Sequence, residues 1–347
     1  MSHLLMPYTL KGLELKNRVV LPPMCQYSVQ KQDGVPTGWH ELHYGARAVG
    51  GCGFIIVEMT NVEPDGRITD YCLGLWNEEQ AAGLKRIVDV CHEYGAKVAV
   101  QIAHAGRKAT GADVLPVAPS AIAFDENAKV PRALETEEVK GMVQKFQEAV
   151  QRAVAAGVDA IEIHGAHGYL IHQFHSPLTN KREDEYGQDL TLFGREVLRA
   201  AKAVMPADMP LLMRISATEY VEGGYGIDEA IELCRAYEQE GVDMFHITSG
   251  GEGAAVGSRG VLGVHAGYQV PLARKIKEAL DVPVIAVGRL DQPEYANGVI
   301  SNGEADLVAV GRGMLKNPNW TLQAAEALGL PTVVPPALSA GFRMKAD

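Results

Sequence analysis

No stretch of this 347-residue sequence stays apolar for the roughly 20 residues a membrane-crossing helix requires, so the chain is not expected to span a membrane. Its start, MSHLLMPYTLKGLELKNR, has no basic cluster leading into a long apolar core, so no secretory signal is expected and a cytoplasmic location follows. Cysteine is scarce. Cys25, Cys52, Cys72, Cys91 and Cys234 are odd in number and widely spaced, with no CxxC pair, which argues against a disulfide framework or an iron–sulfur site. Positive charge is in deficit as well: Lys and Arg total 32 against 43 Asp and Glu, a formal net charge of −11. Nucleic-acid binding depends on clustered cations that displace counterions, so no nucleic-acid partner is expected. A small-molecule substrate is.

What the chain does have is a recurring unit: a short apolar run, a polar or glycine-bearing loop, then a helical segment. Eight strand candidates can be counted: Arg18–Leu21, Phe54–Glu58, Lys97–Gln101, Asp159–His164, Leu211–Ile215, Met244–Thr248, Val284–Val287 and Leu307–Val310. Helices are predicted over Asn77–Tyr94, Glu137–Ala156, Asp228–Glu240 and Pro293–Asn302, with acidic or proline starts; Gly95, Gly157, Gly241 and Gly303 close them. Alternation implies a parallel sheet, and eight repeats without a break in composition imply an α/β fold, a single (β/α)8 TIM barrel over residues 1–347 with a tail at 330–347. An open doubly wound sheet would normally carry GxGxxG after its first strand, where this chain has PPMCQYS.

In such a barrel the active site lies at the carboxyl ends of the strands. The fourth strand ends most conspicuously, in DAIEIHGAHGYL (159–170), which places His164, His167 and Tyr169 together on a glycine-loosened turn. By itself this stretch leaves a structural role, a metal site and organic catalysis all open. The other strand ends narrow the choice. A metal-dependent hydrolase built on His104, His164 and His167 would want carboxylate ligands beside them, yet only Glu58 supplies one, so no metal is expected. Gly288-Arg289 and Gly311-Arg312, at adjacent strand ends, suit an anion such as a phosphate, and Gln101 and Arg214 suit the carbonyls of a flat heterocycle.

The stretches NRVVLPPMCQYS (17–28), GGCGFIIVEMT (50–60), QIAHAGRK (101–108), APSAIAF (118–124), IEIHGAHGYLIHQFHSPLTNKREDEYG (161–187) and VGRG (310–313) resemble the Old Yellow Enzyme family of flavin-dependent ene-reductases, in family order across the whole barrel. Cys25, Tyr27 and the HxxHGYL form resemble its thermophilic-like, xenobiotic-reductase branch. The resemblance implies tight, non-covalent FMN held by Pro23, Met24, Cys25, Met59, Gln101, Arg214, Gly288, Arg289, Gly311 and Arg312, with Ser249 and Gly250 as weaker candidates, and NADPH or NADH as reductant. It implies that His164 and His167 grip the oxygen of an enone or nitro substrate, that Tyr169 donates a proton, that Cys25 tunes the flavin and that Tyr27 lines the pocket. A homodimer or homotetramer is implied, with Arg343 reaching a neighbouring subunit's site. The pattern departs in three places: Gln188, Leu192 and Phe193 replace the usual second glycine and Asn-Arg pair, the segment from Lys108 to Ala118 is short, and Arg343 lacks its Tyr-x-Arg-x-Trp setting. Two rivals on the same fold are weakened by the chain itself: an iron–sulfur dienoyl-CoA reductase by the missing cysteine cluster, a tRNA-reducing flavoprotein by the charge. A non-catalytic flavin carrier would not need the His-His-Tyr set.

Overall fold

The computed structural model describes residues 3–252 and 265–342. Its core is a closed parallel barrel of eight strands: β1 (Val19–Leu21), β2 (Phe54–Asn61), β3 (Lys97–Ala103), β4 (Ala160–Gly165), β5 (Leu211–Ser216), β6 (Met244–Thr248), β7 (Val284–Ala286) and β8 (Leu307–Ala309). Each strand pairs in parallel with its sequence neighbours, and β1 closes the circle against β8, with Val19 opposite Val308 and Val20 opposite Ala309. Eight helices of nine or more residues follow the strands: α1 (Gly38–Val49), α2 (Glu78–Glu93), α3 (Thr136–Ala155), α4 (Leu192–Lys202), α5 (Ile227–Gln239), α6 (Val270–Ala279), α7 (Pro293–Ser301) and α8 (Trp320–Leu328).

The helices start and stop for local reasons. Asn77 accepts from Gln80 N at 3.0 Å while Gln80 Oε1 accepts from Asn77 N at 3.2 Å, so two orphan amides of α2 are satisfied reciprocally. Pro293 begins α7, where its missing N–H costs nothing. Gly95, Gly157, Gly241 and Gly303 take φ values of 70, 90, 88 and 73°, the left-handed conformation that ends a helix and that other residues adopt only with strain.

Strand alternation sorts side chains into two cores. Ala160, Leu212, Met244 and Ile285 point inward and pack with Val20, Phe54, Ile56 and Ala99, while Ile161, Met213, Phe245 and Val284 point outward against the helices. The sequence reading did not include a hairpin ahead of β1. Tyr8–Leu10 and Leu13–Leu15 pair antiparallel and insert Leu13 and Leu15, 1% and 2% exposed, into the amino-terminal end of the barrel. Burial of each leucine is worth about 1.5–3 kcal/mol. The hairpin is a stopper that leaves the opposite end as the open one. Residues 331–336 lie at the stoppered end, against Leu5, Lys16 and Gly95.

β2 and β3 run beyond the predicted ends, to Asn61 and Ala103, and their register shifts between Val57 and Thr60. With Phe54 and Ile56 inside, strict alternation would place Glu58 inside too. Instead Met59 joins the inner cluster with Ala103 and Cys25, and Glu58 turns toward α1. Phe193, one of the departures from the family pattern, is buried against Phe174 with ring centres 4.3 Å apart. Among the described residues no helix is long and apolar enough to cross a membrane.

Candidate active site

The open end of the barrel brings His164, His167 and Tyr169 together. Their rings meet edge to face, with centres 5.2 Å apart for His164–His167, 5.0 Å for His164–Tyr169 and 6.4 Å for His167–Tyr169. The turn that carries them is strained: His167 has φ 61° and Gly168 φ 69°. It is held by Lys108, whose ammonium donates to His167 O at 2.7 Å and also to Gly251 O. Gly251 has to be glycine, because a methyl group there would stand 2.4 Å from Gly168 N.

Both imidazoles are neutral, since burial and the nearby Arg214 charge hold their pKa values well below the usual histidine range. One tautomer follows from a hydrogen bond. Ala166 N donates to His164 Nδ1 at 3.2 Å, which places that ring's proton on Nε2. Thr248 Oγ1 accepts from Gln269 Nε2 at 3.0 Å and lies 3.0 Å from His167 Nε2. Burial also raises the Tyr169 phenol well above its ordinary value, so it stays protonated in neutral water.

Beneath these rings lies a layer of polar side chains inside the barrel. Gln101 Nε2 donates to Glu162 Oε1 at 2.7 Å, and His246 Nδ1 meets Glu162 Oε2 at 2.9 Å. Glu162 and His246 are fully buried, and the Glu162 charge acts on the Arg214 guanidinium. Sequence reasoning found Gln101 and Arg214 but missed Glu162 and His246. The signal was parity: each lies two residues before a mouth residue, His164 or Thr248, on an otherwise apolar strand.

The anion-site residues converge as well. A cavity of about 210 Å³ is lined by His167, Arg214, Gly288, Arg289, Gly311 and Arg312, with Thr248, Tyr268, Gln269, Val287 and Asp291. Gly288 has φ 126°, and a methyl group there would press on Gln269 at 3.1 Å; one on Gly311 would stand 3.2 Å from the Met24 sulfur. These residues fit a flat, phosphorylated ring cofactor. Among the described residues Arg214 Nε is buried without a hydrogen-bond partner, and the glycines leave backbone open where a Cβ would fill the cradle.

Met24 lies beside Gly311, Cys25 packs in the inner cluster with Met59, and Pro23 is buried next to Met24 in the chain. Cys25 is partly exposed, and Tyr27 two residues on is 45% exposed with φ 51°. On the other side a second cavity, about 510 Å³, runs from Tyr169 past Lys108 to Phe124, whose ring lies 4.1 Å from the Lys108 ammonium. Lys108 had been no candidate beyond its place in QIAHAGRK, yet burial brings its pKa down to about 8 and it touches the turn at His167.

Two expectations do not fit. Glu58 faces away from the mouth: its carboxylate accepts from Gln26 N at 2.7 Å and Tyr44 Oη at 3.1 Å, and burial raises its pKa to about 8. His104 does not join His164 and His167; its Nε2 meets Glu63 at 2.8 Å and its Nδ1 accepts from Gly106 N at 2.9 Å. Among the described residues the group whose geometry suits a metal ion is His172, Glu219 and Glu252, and it contains none of those three histidines. Arg343 lies outside the described residues.

A barrel with this mouth is an NAD(P)H-dependent flavin oxidoreductase, and the comparisons with known proteins agree. Residues 3–330 match the NADH:flavin oxidoreductase / NADH oxidase family, and the chain belongs to it, within the Old Yellow Enzyme family. It is 46% identical over 323 residues to an NADPH dehydrogenase of Clostridium acetobutylicum, covering 92% of this chain and 93% of that one. It is 44% identical over 335 residues to an NADPH dehydrogenase of Listeria monocytogenes, covering 95% and 96%. Among solved structures, morphinone reductase superposes with a TM-score of 0.78 at 28% identity, over 96% of this chain and 92% of that one. A 2-naphthoyl-CoA reductase complex superposes at 0.86 with 26% identity, over 95% of this chain but 52% of the other.

Proposed function

We propose that the chain binds FMN tightly and without a covalent link, and reduces the activated C=C bond of α,β-unsaturated carbonyl compounds, and nitro compounds, at the expense of NADPH or NADH. When bound, FMN supplies the hydride that it takes from the nicotinamide. Everything else falls to the protein. Gln101 and Arg214, fixed by Glu162, hold and orient the ring; Pro23, Met24, Cys25 and Met59 flank it; Gly288, Arg289, Gly311 and Arg312 hold its phosphate. His164 Nε2–H and the His167 ring donate to the substrate oxygen, where negative charge develops as hydride reaches the β-carbon. Tyr169 Oη releases its proton to the α-carbon. Cys25 tunes the ring's potential and Tyr27 closes one side of the substrate pocket.

The observation that carries the reading is the pair of neutral imidazoles set edge to face against a protonated phenol, with ring centres within 6.4 Å. One mouth serves both substrates, because the hairpin stoppers the other end. Reductant and alkene therefore alternate, and initial-rate lines are parallel, as ping-pong kinetics require. The net charge of −11 supports small-molecule partners over nucleic acid, and the reading includes a cytoplasmic homodimer or homotetramer. The test is optical. Purified protein shows a flavin spectrum, bleaches anaerobically with NADPH, and regains its colour with 2-cyclohexenone. A colourless protein, or one that stays bleached with the enone, refutes the reading.

A further inference from the structure

Glu58 faces away from the mouth, yet it holds a loop that reaches it. The residue is 0% exposed and lies inside the register shift of β2, between Val57 and Thr60. Its Oε2 accepts from Gln26 N at 2.7 Å and its Oε1 from Tyr44 Oη at 3.1 Å. Tyr44 Oη accepts in turn from Glu58 N at 2.9 Å, so one phenol on α1 grips the residue at both ends. His40, also on α1, carries its proton on Nε2 because Nδ1 accepts from Thr37 N at 2.9 Å, and that Nε2 stands 3.5 Å from Oε1. The carboxyl is thereby oriented from the helix side, and its other oxygen goes to the backbone of the loop after β1.

The N–H it holds belongs to the peptide unit that joins Cys25 to Gln26. Such a unit is planar, so restraining its N–H restrains both the exit from Cys25 and the approach to Tyr27. Tyr27 has φ 51°, a conformation that a bulky residue keeps only where its surroundings impose it. The Gln26 side chain adds two ties, Nε2 donating to Met24 O at 2.8 Å and Oε1 accepting from Trp39 Nε1 at 3.2 Å. Trp39 is 52% exposed, so water competes for that bond, whereas none reaches Glu58.

We propose that Glu58 is a positioning residue for the reaction: by holding Gln26 N it sets Cys25 against the ring and Tyr27 against the substrate, while touching neither ring nor substrate itself. The inference rests on the reductase reading, which gives Cys25 and Tyr27 those places. Burial raises the Glu58 carboxyl to about 8, so in neutral water it is an uncharged acid, and what it offers the loop is an oxygen rather than a charge. Glu58→Gln keeps such an oxygen. Glu58→Leu fills similar space with no acceptor.

The wild-type, Glu58→Gln and Glu58→Leu holoenzymes are compared by the visible band of the bound flavin and by the kinetics of 2-cyclohexenone reduction at saturating NADPH. Glu58→Leu is expected to shift the band and to raise the KM for the enone about 10-fold, with a smaller change in kcat; a displacement of about 1 Å suffices for a loss of that size. Glu58→Gln is expected to bring band and KM back to the wild-type values. If Glu58→Leu does not fold, Tyr44→Phe takes its place, because it frees Oε1 and removes the grip on the carboxyl; a shifted band and a raised KM are expected again. The proposal is overturned if the variant without that hold keeps the wild-type band and KM, whatever its stability. It is equally overturned if Glu58→Gln is as impaired as Glu58→Leu. A wild-type protein without flavin or without enone turnover refutes the reductase reading instead, and the inference falls with it.

Discussion

Replacing Glu162 by alanine strips the acceptor from two buried partners at once, Gln101 Nε2 at 2.7 Å and His246 Nδ1 at 2.9 Å, and removes the negative charge that acts on Arg214. An orphaned buried neutral donor costs about 1–3 kcal/mol. Two such donors, with the lost attraction on the buried Arg214 guanidinium added, put the total at about 3–5 kcal/mol. Glu162→Ala is therefore expected to lose about 3–5 kcal/mol of unfolding free energy, measured by urea denaturation, and to retain less flavin through gel filtration. Adding Arg214→Met removes the stranded charge while keeping most of the side-chain volume. The double variant should lose about 1–3 kcal/mol less than the sum of the single losses, the range expected for coupled neighbours. Losses that simply add would show that Glu162 and Arg214 are energetically independent. Glu162→Ala unfolding with a loss below about 1 kcal/mol would refute the account of the whole layer.

Three further outcomes follow from the geometry. Tyr169→Phe should slow flavin reoxidation by enone about 10²–10⁴-fold, the usual worth of a general acid, while NADPH bleaches the flavin at the wild-type rate in stopped flow; an unchanged reoxidation rate would move the proton donor elsewhere, Tyr27 first. Gly251→Ala should lose both stability and turnover, because its methyl would meet Gly168 N at 2.4 Å, whereas Gly141→Ala on α3, with nothing within 4 Å, should gain about 1 kcal/mol. Stability should also peak near neutrality. Burial lowers His40 and His172 to about 4, so the unfolded chain takes their protons first and stability is lost as pH falls from about 6.5 toward about 4, on the order of 3 kcal/mol for His172 alone. Glu58 works from the other side: raised to about 8, it stays protonated in the fold while the unfolded chain ionises, so stability also declines as pH rises toward 8. Glu58→Gln should flatten that alkaline limb in urea midpoints measured across pH.

The strands and mouth were legible because each rests on a local signal. Apolar runs ending in chemistry-bearing residues located β4 and β5 to within a residue or two at each end, and glycines closed the helices where left-handed φ values occur. What was not legible is set by contacts far apart in the chain. The register shift near Val57 depends on β3, and it alone turns Glu58 toward Tyr44 and brings Met59 inside. Leu13 and Leu15 alternate in a run too short to be distinctive, and only the closed barrel gives them something to fill. Lys108 looked like any basic residue after a strand until the turn at His167 provided a carbonyl for it.

The seam between β1 and β8 also bears on how the chain comes into being. Val19 and Val20 find their partners only when Val308 and Ala309 have been made. At about 5–20 residues per second, the first strand waits roughly 15–60 s on the ribosome with one edge unpaired. Until then there is no closed end for Leu13 and Leu15 to plug, so the stopper seats after the last stave. Closure is a late, all-or-nothing event. A chain cut short before Leu307 would have to carry two bare sheet edges, the form in which sheets recruit one another into aggregates.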